Sequence, residues 1–273
     1  MSQQDERDYV LGTHQAEVER LGIQHRVWRP MVLDCWRQAG ITTGSKVLDV
    51  GAGPGYATVD LAEIVGPTGE VWALERSQRF LQSARQTCEH RQLHQVHYHE
   101  ADLMVDPLPV QGMDATWCRW VACFVSSPKI LIEKLAGALR PGGVAIFHEY
   151  VDYGTWQLLP PRPLQTEFVR QVMASWRQNG GEPDIARQLP TLLIDCGLRV
   201  IQTTPRVFCV KPDNYLWQWP ASFMETGLTR LVELKLVAAE QAVATRQEFH
   251  EAEANPATLM VTPVVLEIVA VKG

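Results

Sequence analysis

The stretch Val47-Leu48-Asp49-Val50-Gly51-Ala52-Gly53-Pro54-Gly55 decides how the rest of this chain is read. Val47, Leu48 and Val50 are apolar and strand-prone, and Asp49 stands near the end of that strand. Three glycines then alternate, so the backbone can turn sharply and lie against a ligand with no Cβ in the way. From Tyr56 to Ile64 the apolar spacing becomes helical. A strand, a glycine turn and a helix N-terminus together form a nucleotide-shaped cradle at the carboxyl end of a parallel sheet.

Outward from this motif the chain alternates between strands and helices. Residues 13–39 read as helical, with a break at Pro30. A strand over 46–50 leads through the glycines into a helix over 55–65. Gly66-Pro67-Thr68-Gly69 turns the chain into a second strand, 71–74, followed by a helix over 78–91. Strands follow at 96–100 and 113–118. Ser127-Pro128 starts a helix that runs to Leu139, with Ser127 as N-cap. Arg140-Pro141-Gly142-Gly143 turns into a fifth strand, 144–150. This alternation predicts an α/β fold with a doubly wound parallel sheet.

Beyond Tyr150 the rhythm changes. Residues 151–163 are rich in Pro, Trp and Tyr, and helices are expected over 164–178 and 184–195. A sixth strand is expected over 199–210, a long helix over 228–250 and a final strand over 259–271. The expectation is one domain over 1–273. It comprises an N-terminal helical segment (1–40) and cap segments inserted at about 151–185 and 211–257.

The glycine motif admits several nucleotides, and its neighbours choose between them. A dinucleotide turn needs a small residue at the sixth position from Gly51, and that position is Tyr56. This counts against a nicotinamide-dependent oxidoreductase. No Gly-Lys-Ser/Thr follows, so the segment is not a P-loop. An acidic residue followed by G-x-G-x-G, here Asp49, Gly51, Gly53 and Gly55, resembles motif I of the class I methyltransferases that bind S-adenosylmethionine (SAM). Glu75 in Leu74-Glu75-Arg76, Asp102 in Glu100-Ala101-Asp102-Leu103, the segment Asp114 to Trp120 and the Pro141-Gly142-Gly143 turn follow in that family's order. The resemblance covers residues 40–150 and is nearest to small-molecule methyltransferases of the quinone-biosynthesis type.

The resemblance implies a mostly parallel seven-stranded sheet with helices on both faces and an antiparallel last strand. It implies SAM contacts from Asp49, Gly51, Gly53, Gly55, Glu75, Arg76, Ala101, Asp102 and Leu103. Glu75 would accept the ribose hydroxyls, and Asp102 and Leu103 would meet the adenine. Asp49 can also hold the glycine loop by accepting its N–H groups. Arg119 would meet the methionine carboxylate, and Tyr9 would fold over the cofactor.

For a general base, His148 is the first choice, because an imidazole titrates near neutrality and this one ends the fifth strand. Glu149, Tyr150, Asp152, His14 and His25 are further candidates. Trp156, Trp176, Tyr215, Trp217, Trp219, Phe223 and Met224 in the cap segments suggest a pocket for a small, partly apolar or aromatic acceptor. The oxygen, nitrogen or carbon to be methylated is left open, as is a protein that binds SAM without turnover.

Composition narrows the partners. The 273 residues carry a formal net charge of −6, and no run of five or more basic residues occurs, so nucleic acid is a poor partner. No apolar run reaches membrane-spanning length, and the charged residues 1–8 are unlike a secretory signal. Six cysteines without paired spacing are expected to be reduced, largely buried thiols of a cytoplasmic protein. His90, His94, His97 and His99 match no zinc signature, and no metal is expected.

Overall fold

The computed structural model describes residues 15–273. Helix α1 (Gln15–Gln38) precedes a regular series: β1 (Lys46–Val50), α2 (Tyr56–Val65), β2 (Glu70–Glu75), α3 (Gln78–His90), β3 (Val96–Glu100), β4 (Met113–Arg119), α4 (Pro128–Ala138) and β5 (Leu139–Asp152). The second half holds β6 (Gln157–Leu159), α5 (Pro163–Gln178), α6 (Leu189–Asp195), β7 (Leu198–Arg206) and β8 (Cys209–Val210). It closes with α7 (Gln218–Glu233), α8 (Ala239–Ala254), β9 (Leu259–Val261) and β10 (Val264–Lys272).

Seven strands form one sheet in the order β3-β2-β1-β4-β5-β10-β7, flanked by helices. β1 to β5 are parallel, and β10 runs antiparallel to both β5 and β7. Val47, Leu48 and Val50 are buried because helices cover both faces of the sheet, which is why the strand reads as an apolar run rather than an alternation. β1 pairs with β2 on one side and β4 on the other. The winding direction reverses there, which opens a crevice beyond the carboxyl ends of β1 and β4.

Several expected elements differ. Helix α1 runs through Pro30 without a break. Pro30 and Arg26, one turn before it, are both on the exposed side, so the carbonyl left without an N–H faces water. Ser127 makes no side-chain capping bond to α4. The expected turn at 140–143 is an irregularity within β5, where the register with β4 shifts between Met113 and Ala115. The segment 184–195 divides into a short 3-10 turn (Ile185–Arg187) and α6.

The long helix expected over 228–250 is two helices. Lys235 at φ 59° reverses the chain after α7; its N–H bonds to the Val232 carbonyl, and that of Leu236 bonds to Leu231. This closure usually places glycine at the left-handed position, and a lysine there hides the break from sequence inspection. The strands expected over 199–210 and 259–271 are each cut in two. Their outer pieces, β8 and β9, join β6 in a second antiparallel sheet ordered β6-β9-β8. Thr262 ties the cuts together: its N–H bonds to the Phe208 carbonyl and its Oγ1 accepts from the Phe208 N–H.

Candidate functional site

The crevice is a cavity of about 450 Å³, lined by the glycine turn, the ends of β2, β3 and β4, the segment after β4 and one face of α1. Of the eleven residues expected at a cofactor, nine line it: Asp49, Gly51, Gly53, Glu75, Arg76, Ala101, Asp102, Leu103 and Arg119. Tyr9 lies outside the described residues, as does His14. Gly55 does not line the cavity. At φ 88° it faces α3, where a Cβ would stand 2.4 Å from that of Ala84, so it permits close packing of α2 on α3.

The two other glycines face the cavity in different ways. A Cβ on Gly51 (φ 64°) would lie 2.4 Å from Val121 Cγ2, whereas one on Gly53 (φ 56°) would project into open space. Gly53 thus leaves a bare backbone for a ligand to approach. Glu75 holds this turn: its Oε2 accepts from Gly53 N–H at 2.9 Å, and its Oε1 accepts from Arg76 and Ser77 N–H at 2.9 Å each. The sequence reading gave the task of holding the loop to Asp49. Asp49 instead accepts the Thr58 hydroxyl at 2.6 Å, and burial pushes its carboxyl up to about 6. Burial also raises the Glu75 pKa, against the pull of its three backbone donors.

Arg119, at the end of β4, supplies the positive charge. Its guanidinium carbon lies 5.8 Å from the ring centre of Trp117 and 5.2 Å from that of Trp120. Burial pushes its pKa down to about 10, opposed by the charges of Asp49 and Asp60, so it is a cation at neutral pH. Its Nη2 meets His25 Nδ1 at 3.1 Å, while Nη1 is buried with no partner among the described residues. A buried guanidinium nitrogen without an acceptor calls for an anionic ligand group. Asp102 lies half-exposed at the rim; its Oδ1 accepts the Met104 N–H at 2.8 Å.

The expected bases fare differently. His148 is fully buried, with Nε2 2.9 Å from Glu267 of β10 and its ring against Trp117 and Trp28, and it does not line the cavity. Strand alternation turns it beneath α1, and burial lowers its pKa, so the general-base assignment is withdrawn. Glu149 on the other face accepts the Val121 and Ala122 N–H groups at 2.8 Å each, and burial pushes it up to about 7. Tyr150 is buried and stacked on Trp120, Asp152 pairs with Arg187, and His25 bonds to Asp60. None of these lines the cavity.

The aromatic expectation is also corrected. Trp156, Trp176, Trp217, Trp219, Phe223 and Met224 are buried in the packing of the cap, and Tyr215 is 47% exposed. None reaches the cavity wall. The aromatic wall comes from Tyr56, Trp117, Trp120, Phe124 and, on the β2 side, Phe80. Trp120 has φ 51°, a backbone that a bulky residue adopts only when its surroundings force it. Its ring is backed by Trp219 at 5.7 Å and Tyr150 at 5.7 Å, and its Nε1 is buried without a partner among the described residues. Leu21 and Gln24 of α1 complete the wall; α1 covers a sheet edge far away in sequence, so no local pattern marked them.

Residues 47–143 match the sequence model of a family described as a methyltransferase domain. That stretch of the chain is thus similar to a methyltransferase domain, and SAM is the cofactor of the class I methyltransferases it resembles. The chain is 30% identical to a demethylmenaquinone methyltransferase of a Geobacillus species over 123 residues, which is 45% of this chain and 51% of the relative. It thus spans about half the length of that relative. A geranyl diphosphate methyltransferase in complex with GPP and sinefungin superposes with a TM-score of 0.58 at 14% identity, over 91% of this chain and 79% of that one. The 4+2 cyclase SpnF superposes with a TM-score of 0.52 at 20% identity, over 97% of this chain and 85% of that one. Likenesses this distant show the fold, and the fold alone leaves the chemistry to the site.

The cavity suits SAM. The bare backbone at Gly53, the Glu75 carboxylate beside it and the unpartnered Arg119 Nη1 match a nucleoside that also carries a carboxylate. Among the described residues, the group that could hold a metal ion is Cys35, His148 and Glu267, none of them from the histidine cluster at 90–99. Arg206 already places its charge 3.4 Å from Glu267. No helix among the described residues is long and apolar enough to cross a membrane.

Proposed function

We propose that this protein transfers a methyl group from SAM to a small, partly apolar or aromatic organic acceptor, releasing S-adenosylhomocysteine. The carrying observation is the cavity itself, where one continuous wall joins the Glu75-held glycine turn, the free Arg119 nitrogen and the Trp120 face. When bound, SAM supplies a methyl group already activated by the positive charge of its sulfonium. The protein's residues therefore need mainly to orient and to exclude water.

Glu75, Arg76, Ala101, Asp102 and Leu103 would hold the nucleoside, with Asp49, Gly51 and Gly53 beneath it and Arg119 on the carboxylate. The wall beyond Arg119 would take the acceptor. Trp120, Phe124, Val125 and Leu21 give it apolar surface, and Gln24 and Ser126 offer hydrogen bonds. Among the described residues of that wall, no titratable side chain is poised as a base.

The whole chain is read as one functional unit, in which segments near 151–185 and 211–257 form the cap that presses Trp120 into place. The described cysteines are all free, in keeping with a reducing, cytoplasmic setting. Calorimetry with SAM and with S-adenosylhomocysteine tests the central reading, with micromolar binding of both expected. No binding at hundreds of micromolar would sink it. SAM binding with no methylated product across phenols, quinols, amines and prenyl compounds would point instead to a binding protein.

A further inference from the structure

The buried polar groups behind Arg119 form a chain that leads away from the cavity. Arg119 Nη2 lies 3.1 Å from His25 Nδ1, His25 Nε2 lies 3.0 Å from Asp60 Oδ2, and Asp60 is gripped by Arg29 through Nε at 2.7 Å and Nη2 at 3.1 Å. The four residues come from α1, α2 and the end of β4. His25 and Asp60 are buried, and Arg29 is 47% exposed.

Chemistry fixes the direction of each bond. A guanidinium can only donate, so His25 Nδ1 must be the acceptor and carry no proton. Asp60, ionised between Arg29 and His25, accepts, so His25 Nε2 carries the ring's proton. The carboxylate thus selects the one neutral tautomer that can hold Arg119. Burial lowers the His25 pKa and the Arg119 charge lowers it further, which keeps the ring neutral. Tyr56, stacked on the ring at 5.9 Å and 21°, restricts its rotation. With Nη2 held from behind, the partnerless Nη1 of Arg119 is the donor left for a ligand.

We infer that His25 is a positioning residue: anchored by Asp60, it aims the Arg119 guanidinium at the carboxylate of the cofactor's amino-acid end. This rests on the SAM reading above and deepens it. His25 does not itself line the cavity.

The test is binding of two ligands to the full-length protein, S-adenosylhomocysteine, which has the amino-acid carboxylate, and 5′-methylthioadenosine, which lacks it. His25→Leu should weaken S-adenosylhomocysteine about tenfold or more, the scale of a charge-assisted hydrogen bond, and leave 5′-methylthioadenosine within about twofold. His25→Gln keeps an acceptor for Arg119 and a donor for Asp60 and should recover most of the loss. Asp60→Asn, which weakens the choice of tautomer, should show the same ligand split to a smaller degree. Equal weakening of both ligands, or of neither, overturns the positioning role. Wild-type protein that binds neither ligand overturns the SAM reading itself.

Discussion

The end of the cavity proposed for the nucleoside and the end proposed for the acceptor are built by different means. At the nucleoside end the backbone does most of the work. Glu75 takes three N–H groups from two turns, Gly53 leaves its backbone bare, and each part lies a few residues from a strand end. At the acceptor end, beside Phe124, Val125 and Leu21, the wall carries one strained tryptophan, Trp120. It is held by rings from β5 and α7, about 30 and 100 positions further along the chain. The first end reuses local geometry that any nucleoside of this kind requires. The second depends on which side chains the cap happens to press against β4, so it is the end where specificity can vary without disturbing the cofactor.

If the two ends are independent, damage to the cap should spare the cofactor. Trp156 sits 2% exposed among Tyr153, Phe168 and Phe223, with its Nε1 3.1 Å from Met260 Sδ. Trp156→Ala should cost about 3–5 kcal/mol in chemical denaturation, the usual toll of truncating a buried tryptophan. S-adenosylhomocysteine affinity in the folded fraction should stay within about twofold by calorimetry. A collapse of that affinity would break the separation.

The reverse experiment removes the Glu75 carboxylate. Glu75→Ala leaves three backbone donors without their acceptor, and SAM should bind about a hundredfold more weakly, or about 2.7 kcal/mol. The far-ultraviolet circular dichroism should be unchanged. Unaltered affinity would remove Glu75 from its role.

Glu149 lies where the two ends meet, since it holds the turn at Val121 and Ala122 that leads from Arg119 to Phe124. Its carboxyl is pushed up from 4.5 to about 7. The folded state therefore favours the protonated form. That contribution to stability is complete below the unfolded pKa near 4.5 and is lost as pH rises through about 7. Glu149→Gln stays neutral throughout and keeps an acceptor for both amides. The fall in stability from pH 5 to pH 8 should be about 2–3 kcal/mol smaller in this variant than in the wild type, measured by denaturant unfolding. An identical pH dependence in both proteins would show that the turn carries no buried charge.

The separation of the two ends also marks how far inspection of the residues could go. Asp49, Gly51, Gly53, Glu75, Asp102 and Arg119 were legible because each stands at a strand end whose place is dictated by a short, repeating β-α rhythm. The role of Glu75 in holding the glycine turn was not legible. It requires the ends of β1 and β2 to lie side by side, which only pairing in the sheet provides. Trp120 stood in the stretch after β4, yet nothing local distinguished it from the five cap aromatics that are buried in packing.

His148 shows the limit most plainly. Its residue type and its position near a strand's carboxyl end suited a base, and alternation placed it on a definite face, but burial under α1 and the partner on β10 decided its chemistry. Neither α1 nor β10 is near it in sequence. The amino-acid sequence by itself determined the α/β winding, the nucleoside cradle and the class of cofactor, because these follow from periodicity and from backbone freedom at a few glycines. Only the tertiary structure decided which side chains face the ligand, which carboxylate holds the turn and that His25 stands behind Arg119. Burial and hydrogen-bond partners are set by segments that meet across the sheet, and local spacing carries no record of those meetings.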